Sequence, residues 1–214
     1  MRQIKCLITA GATREYFDPV RFISNPSTGK MGIAIAKACK KSGWETTLVL
    51  GAVSAPLPDG IEIVSAISAE DMLRETSARF PACDILIMTA AVSDMRPKVK
   101  SAQKVKKENL DMLVEFEQTP DILKTLSKSK NRQILIGFAA ETNDIDSYAK
   151  KKLEEKNLDA IAANNVSRKD AGFASDFNEI SLIFRNGETI NLERGTKDEL
   201  AQKLVKILSE KFFS

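Results

Sequence analysis

The stretch Gly11–Gly32, read as GATREYFDPVRFISNPSTGKMG, constrains the fold more than any other part of this chain. It follows a short apolar run, Ile4–Thr9, and leads into Ile33-Ala34-Ile35-Ala36, where a helical pattern begins. Strand, turn-rich loop and helix in that order make the phosphate-holding unit of an α/β domain, because a helix N-terminus offers unpaired N–H groups to an anion. The loop also carries chemistry of its own. Arg14 and Arg21 are fixed positive charges, Asp18 is a carboxylate, and Ser24, Asn25, Ser27 and Thr28 are short hydrogen-bonding groups.

The pattern beyond the loop repeats the alternation of strand and helix. The helix opened by Gly29-Lys30-Met31-Gly32 is expected to run to about Ser42, with Ile33, Ala36 and Lys40 spaced for one face and Gly43 as its stop. Thr46–Leu50 and Ile61–Val64 read as strands around the turn-rich Pro56–Gly60. Ser68 is expected to cap a helix from Ala69 to about Phe80, with Asp71 as the capping-box acid. Asp84–Thr89 is an unbroken apolar strand of the kind that helices cover on both faces. Met95–Asn109 shows no periodicity and reads as a loop over a pocket. Met112–Phe116 reads as a strand, and Thr119 as the cap of a helix whose first position is Pro120. Ile134–Phe138 and Asp159–Ala163 are further strands, around a helix at Tyr148–Lys156 that Asp144 or Asp146 would cap. Finally, Glu179–Phe184 and Glu188–Leu192 face each other across Arg185-Asn186-Gly187, a hairpin signal, and Thr196 with Glu199 caps a closing helix. The expected fold class is α/β, a mostly parallel sheet flanked by helices with a C-terminal β-hairpin elaboration.

At 214 residues the chain is expected to be a single domain over residues 1–214. No run approaches the roughly 18 apolar residues of a membrane span, and the start lacks the apolar stretch of a signal peptide. A net charge of +3 is too small to argue for a nucleic-acid partner. Cys6, Cys39 and Cys83 stand singly in apolar surroundings, as buried thiols of a reducing, cytoplasmic compartment. The absence of histidine removes His-based triads, histidine general bases and most zinc sites.

Ser24–Met31 looks like half of a P-loop, but the required first glycine falls on Ser24 and Met31 takes the Ser/Thr position. The dinucleotide pattern G-x-G-x-x-G fails as well, since a long insertion follows Gly11. An anion site at the helix N-terminus, with Gly11, Ser27 and Gly29, and an ordinary capped helix both remain open. Arg14 and Arg21 beside Asp18 read either as a salt-bridged loop or as a fork for phosphate or carboxylate. Lys98, Lys100, Lys104, Lys106 and Lys107 read either as a solvated face or as a mobile arm reaching a triphosphate. Ala90 and Ala91, after the apolar strand, leave room for a flat group. Asp94 and Glu141 follow strand ends, where either would hold magnesium or a ribose hydroxyl, or cap its own turn.

These same residues carry a resemblance. D-P-V-R-F-I-S-N-P-S-T-G-K-M-G at Asp18–Gly32, A-A-V-S-D at Ala90–Asp94, K-V-K-K at Lys104–Lys107, P-D-I at Pro120–Ile122 and G-F-A-A-E-T at Gly137–Thr142 closely resemble the phosphopantothenate–cysteine ligase family (phosphopantothenoylcysteine synthetase) of coenzyme A biosynthesis. Thr119 stands where the family often has asparagine, and Val105 where isoleucine is common. The resemblance implies a Rossmann-like fold and a standalone, flavin-free enzyme, usually a homodimer. It would activate 4'-phosphopantothenate with CTP and magnesium and pass the acyl group to L-cysteine. It also implies roles: Asn25 on the acyl-nucleotide, Arg21 in the second half-reaction or on the pantothenoyl side, Lys104 on the triphosphate or base, Ala90 and Ala91 beside the nucleotide, Asp94 on ribose or metal, and Phe138 at the base. ATP in place of CTP, a Rossmann-type NAD(P)-dependent oxidoreductase using Tyr148 and Lys152, and a nucleotide-binding module without catalysis are the alternatives.

Overall fold

The computed structural model describes residues 2–109, 113–141, 145–165 and 175–214. The first half comprises β1 (Lys5–Ala10), β2 (Arg14–Tyr16), β3 (Phe22–Ser24), α1 (Lys30–Lys41), β4 (Glu45–Leu50), β5 (Glu62–Ser65), α2 (Ala69–Arg79) and β6 (Ile85–Met88). It is followed by β7 (Met95–Pro97), β8 (Phe116–Gln118), α3 (Ile122–Ser127), β9 (Ile134–Glu141), α4 (Ile145–Glu155), β10 (Ala160–Asn165), β11 (Phe177–Phe184), β12 (Thr189–Thr196) and α5 (Lys197–Phe212).

An eight-stranded sheet runs in the order β12-β11-β10-β9-β6-β1-β4-β5. The strands from β5 to β10 are parallel, whereas β11 and β12 are antiparallel. Counted in chain order, the parallel strands lie as 3-2-1-4-5-6, the Rossmann order, with the reversal between β1 and β6. The fold is therefore the expected one, hairpin included.

Period-two alternation sends neighbours in each strand to opposite layers. Ile8, Leu48, Ile87 and Ile136 pack with Ile33, Ile35, Leu204 and Leu208 from α1 and α5 on one face. Leu7, Val49, Leu86 and Leu135 pack with Met72, Leu123, Leu126 and Leu153 from α2, α3 and α4 on the other. Strands covered on both faces explain the unbroken apolar run Ile85–Met88. The three cysteines are buried and free. Both expected capping boxes form, Ser68 with Asp71 and Thr196 with Glu199.

Four local readings need correction. Lys40 is exposed and donates to the Asp59 carbonyl at 2.7 Å, because the sheet-facing stripe of α1 is made of Ile33, Ala36 and their small neighbours. Asp121, not Thr119, caps α3, accepting from the Lys124 amide at 3.0 Å, while the Thr119 hydroxyl donates to the Ser93 carbonyl. The strand read at Met112–Phe116 is Phe116–Gln118. It pairs antiparallel with Met95–Pro97, so the expected loop begins as one arm of a ribbon. The acids proposed to cap the helix at Tyr148, Asp144 and Asp146, lie among residues or side chains that are not described.

Candidate functional site

The switch point between β1 and β6 places a crevice beyond the carboxyl ends of the strands. Beyond Ala10 the chain continues between two neighbours. Ala12 exchanges hydrogen bonds with Ala52 at 3.0 and 2.8 Å, and the Ala91 amide donates to the Gly11 carbonyl at 2.8 Å. Buried threonines then hold the segment after β6. Thr9 Oγ1 accepts from the Ala90 amide at 3.2 Å, and Thr13 Oγ1 accepts from the Ser93 amide at 2.9 Å. Asn25 Nδ2 closes the arrangement by donating to the Val92 carbonyl at 3.1 Å.

A cavity of about 330 Å³ lies here, lined by Asn25, Ser27, Gly29, Ala90, Ala91, Asp94 and Phe138 among others. One wall is the start of α1. Gly29 occupies its N-cap with φ 75°, no side chain caps it, and its first turn holds no acid. A Cβ on Gly29 would stand 2.3 Å from Val53 Cγ1 and 3.3 Å from the Gly11 Cα, so glycine is needed for both conformation and space. The orphan N–H groups of a first turn, with no carboxylate of their own, are donors that could receive an anion. The ordinary capped helix is excluded.

A second cavity of about 480 Å³ adjoins the first, sharing Ala90, Asp94 and Phe138 and reaching Thr119, Pro120, Asp121 and Lys156. Small Ala90 and aromatic Phe138 at the junction suit a flat ring. Among the described residues no three His, Cys, Asp or Glu side chains cluster as a metal site. Magnesium commonly takes one or two carboxylates and completes its shell with phosphate and water. Asp94, an exposed carboxylate on the cavity wall, fits that use. The Glu141 side chain is not among those described.

Gly11, Arg21 and Lys104 do not line the cavity; Gly11 instead backs Gly29, its Cα 3.3 Å from where a Gly29 Cβ would stand. Arg21 pairs with Asp18 at 2.9 Å and donates to the Val105 carbonyl at 3.2 Å. Asp18 is fully buried and accepts from the amides of Val20 and Arg21, each at 2.8 Å, and of Val105 at 3.3 Å. The pair thus ties the backbone next to Lys104 to the Gly11–Gly32 loop, while Lys104 itself is exposed. Arg14 stacks over Phe22 at 4.5 Å and borders a separate groove.

The Val20 amide above all holds the Asp18 carboxyl below the ordinary carboxylate range, helped by the Arg21 and Val105 amides and the Arg21 charge, against the effect of burial. A depressed folded pKa stabilises above the ordinary carboxylate range, and that contribution is lost as pH falls through the depressed value. Asp18→Asn is therefore expected to lower the urea midpoint at neutral pH, with the gap to wild type closing on strong acidification. A gap that stays constant with pH would contradict this role.

Sequence reasoning missed Lys30, Asn178 and Lys197 on the cavity wall. One signal was available for Lys197. It directly follows the cap residue Thr196, where the positive end of the helix dipole disfavours a cation.

Residues 1–212 match the family model described as DNA/pantothenate metabolism flavoprotein C-terminal domain. A relative named Coenzyme A biosynthesis bifunctional protein CoaBC, from Bacillus subtilis (strain 168), is 48% identical over 182 residues, which are 85% of this chain and 45% of that protein. Its namesake from Vibrio vulnificus (strain YJ016) is 43% identical over 203 residues, 94% of this chain and 50% of the other. The crystal structure of the C-terminal domain of a CoaBC protein superposes with a TM-score of 0.83 at 40% identity, covering 98% of both chains. The chain spans about half the length of the curated relatives it matches.

Proposed function

Because the chain belongs to the family of the DNA/pantothenate metabolism flavoprotein C-terminal domain, we propose that it is a ligase of coenzyme A biosynthesis, joining 4'-phosphopantothenate to L-cysteine with CTP. The observation that carries this reading is the crevice at the strand switch point, where an uncapped helix N-terminus, two alanines and a phenylalanine meet Asn25. In the first step a carboxylate oxygen of phosphopantothenate attacks the α-phosphorus. The bond to the bridging oxygen breaks and pyrophosphate leaves with its electrons. In the second step the cysteine amine attacks the acyl carbon, CMP leaves, and the amine proton is lost to solvent.

The chain's residues suit these steps by position and charge and need no histidine. The α1 N-terminus, Ser27 and Gly29 receive phosphate. Ala90, Ala91 and Phe138 border the base. Asn25, already anchored to the Val92 carbonyl, presents its remaining polar valences to the acyl carbonyl. Magnesium would come with the triphosphate and neutralise its charge, with Asp94 as the protein residue placed to hold it. Arg21 would serve the pantothenoyl side through the loop it organises, and Lys104 would arrive from the tethered segment. The proposed assembly is a homodimer. Exposed Val20, Phe22, Met95 and Phe116, on or beside the two short ribbons, offer it apolar surface. Among the described residues no helix is long and apolar enough to cross a membrane.

The test is pyrophosphate release with 4'-phosphopantothenate and magnesium, comparing CTP with ATP, with and without cysteine. Release that needs phosphopantothenate and prefers CTP supports the full reading. Preference for ATP corrects the nucleotide, and no release with either overturns the ligase. An oxidoreductase is disfavoured because β4 ends in Leu50 and continues as Gly51-Ala52, with no acid for a dinucleotide ribose. Lys104→Gln is expected to slow the first step about tenfold or more, the scale of one lost charge-assisted contact. Pyrophosphate release without cysteine reports it, and an unchanged rate would remove Lys104 from that step.

A further inference from the structure

Asn25 carries the acyl group in the proposed reaction, yet it is exposed and its side chain is anchored at the Val92 carbonyl, 3.1 Å away. A donor that meets developing charge must be held to within about 0.5 Å of its working position. Packing does not do this for an exposed amide, so the backbone on either side of it has to. On the far side, Pro26 confines Asn25 to extended conformations, and the Ser27 amide donates to the Asn25 carbonyl at 2.8 Å. On the near side stands the β2–β3 ribbon, whose strands are only three residues long. A two-stranded ribbon of that size is marginal by itself. Its end pair is Arg14 with Ser24, so Thr13 and Asn25 both lie just beyond the ladder.

Thr13 supplies what the ladder lacks. It is fully buried, and three of its groups are engaged. Its amide donates to the Ala91 carbonyl at 3.3 Å, and Oγ1 accepts from the Ser93 amide at 2.9 Å. Its carbonyl accepts from the Ser24 hydroxyl at 2.7 Å. One buried residue thus joins the two segments that Asn25 spans, Ser24-Asn25 on one side and Ala91–Ser93 on the other. A valine at position 13 would have nearly the same shape but would leave the Ser93 N–H, in a residue 4% exposed, without its acceptor.

We propose that Thr13 and Ser24 are positioning residues that act through Asn25, fixing its amide against the Ala91–Ser93 segment. What Asn25 then does chemically rests on the ligase reading; its placement by Thr13 and Ser24 does not.

The test uses Thr13→Val and Ser24→Ala, with Thr13→Ser and Ser24→Thr as variants that keep the hydroxyl. The first readout is the NMR signal of the Asn25 side-chain amide, identified by its loss in Asn25→Ala. Thr13→Val and Ser24→Ala are expected to move it toward the position of a free asparagine amide, and the hydroxyl-keeping variants to leave it in place. The second readout is product formation. Both damaging variants are expected to lower kcat about tenfold or more, the scale of a displaced catalytic group, with CTP affinity within about twofold of wild type. Adding Thr13→Val to Asn25→Ala is expected to cost no further activity, because residues that act through one another are not additive. A merely structural role would lower activity by the same factor in both backgrounds, and that result overturns the proposal. So does an Asn25 signal unmoved in the folded variants, or normal turnover in both. If Thr13→Val does not fold, Ser24→Ala decides by the same two readouts, since Ser24 is only half-buried. A signal that moves as expected in a protein whose wild type forms no product keeps the placement and removes the ligase reading. Turnover by wild type that neither damaging variant reduces does the reverse.

Discussion

Asn25→Ala is expected to lower product formation about 100-fold or more, the scale of removing one preorganised donor from a site of developing charge. Nucleotide affinity should stay within about twofold, because in the proposed reading the start of α1 would meet the phosphates and the Ala90–Phe138 side of the cavity would meet the base. The separation follows from geometry. Asn25 holds the Val92 carbonyl at 3.1 Å and so stands between the phosphate wall and the segment that positions Ala90 and Ala91. Calorimetry with CTP, beside a product assay with phosphopantothenate and cysteine, reads the two effects separately. Normal turnover would end this role for Asn25. A matching loss of CTP affinity would mean that the side chain builds the cavity and does not act on the acyl group.

Gly32→Ala is the second large effect. Gly32 lies inside α1 with ordinary helical geometry, so backbone conformation is not the reason for glycine there. A Cβ would stand 2.4 Å from Thr89 Oγ1, just past β6, and 2.5 Å from the Ala10 Cβ at the end of β1. The helix would have to lift. Overpacking of this kind costs about 1–3 kcal/mol, to be read as a lower urea midpoint at an unchanged slope. The same shift displaces the first turn of α1, the proposed phosphate seat, and disturbs Thr89, whose hydroxyl donates to the Thr9 carbonyl at 2.6 Å. CTP affinity should therefore fall together with stability. A variant with the wild-type midpoint and affinity would show that α1 adapts to the sheet without cost.

Much of this molecule was legible before its structure. The unbroken run at Ile85–Met88 announced a strand covered on both faces, and Asn186-Gly187 announced the hairpin, because both depend on neighbours in sequence. The capping boxes at Ser68 and Thr196 were readable for the same reason. The β7–β8 ribbon was not. Each strand is three residues long, too short for a period, and each is defined by its partner. Thr119 misled because two residues on either side of Pro120 each had the chemistry of a cap, and the Thr119 hydroxyl is taken by the distant Ser93 carbonyl. Arg21 was read both as a ligand fork and as a salt bridge. The structure pairs it with Asp18 and Val105, since a buried carboxylate demands its cation.

What the sequence determined by itself is the alternation of elements, the layer each apolar side chain faces, and a loop suited to phosphate. All of these follow from short-range periodicity and local hydrogen bonding. What only the tertiary structure decided is which charges meet. Strand order brings Ala90, Phe138 and Asn25 to one crevice, and the packing of α1 against α5 carries Lys197 to Lys30 across more than half the chain. Spacing along a sequence cannot express that encounter, because it depends on how the sheet is ordered and where its helices come to rest.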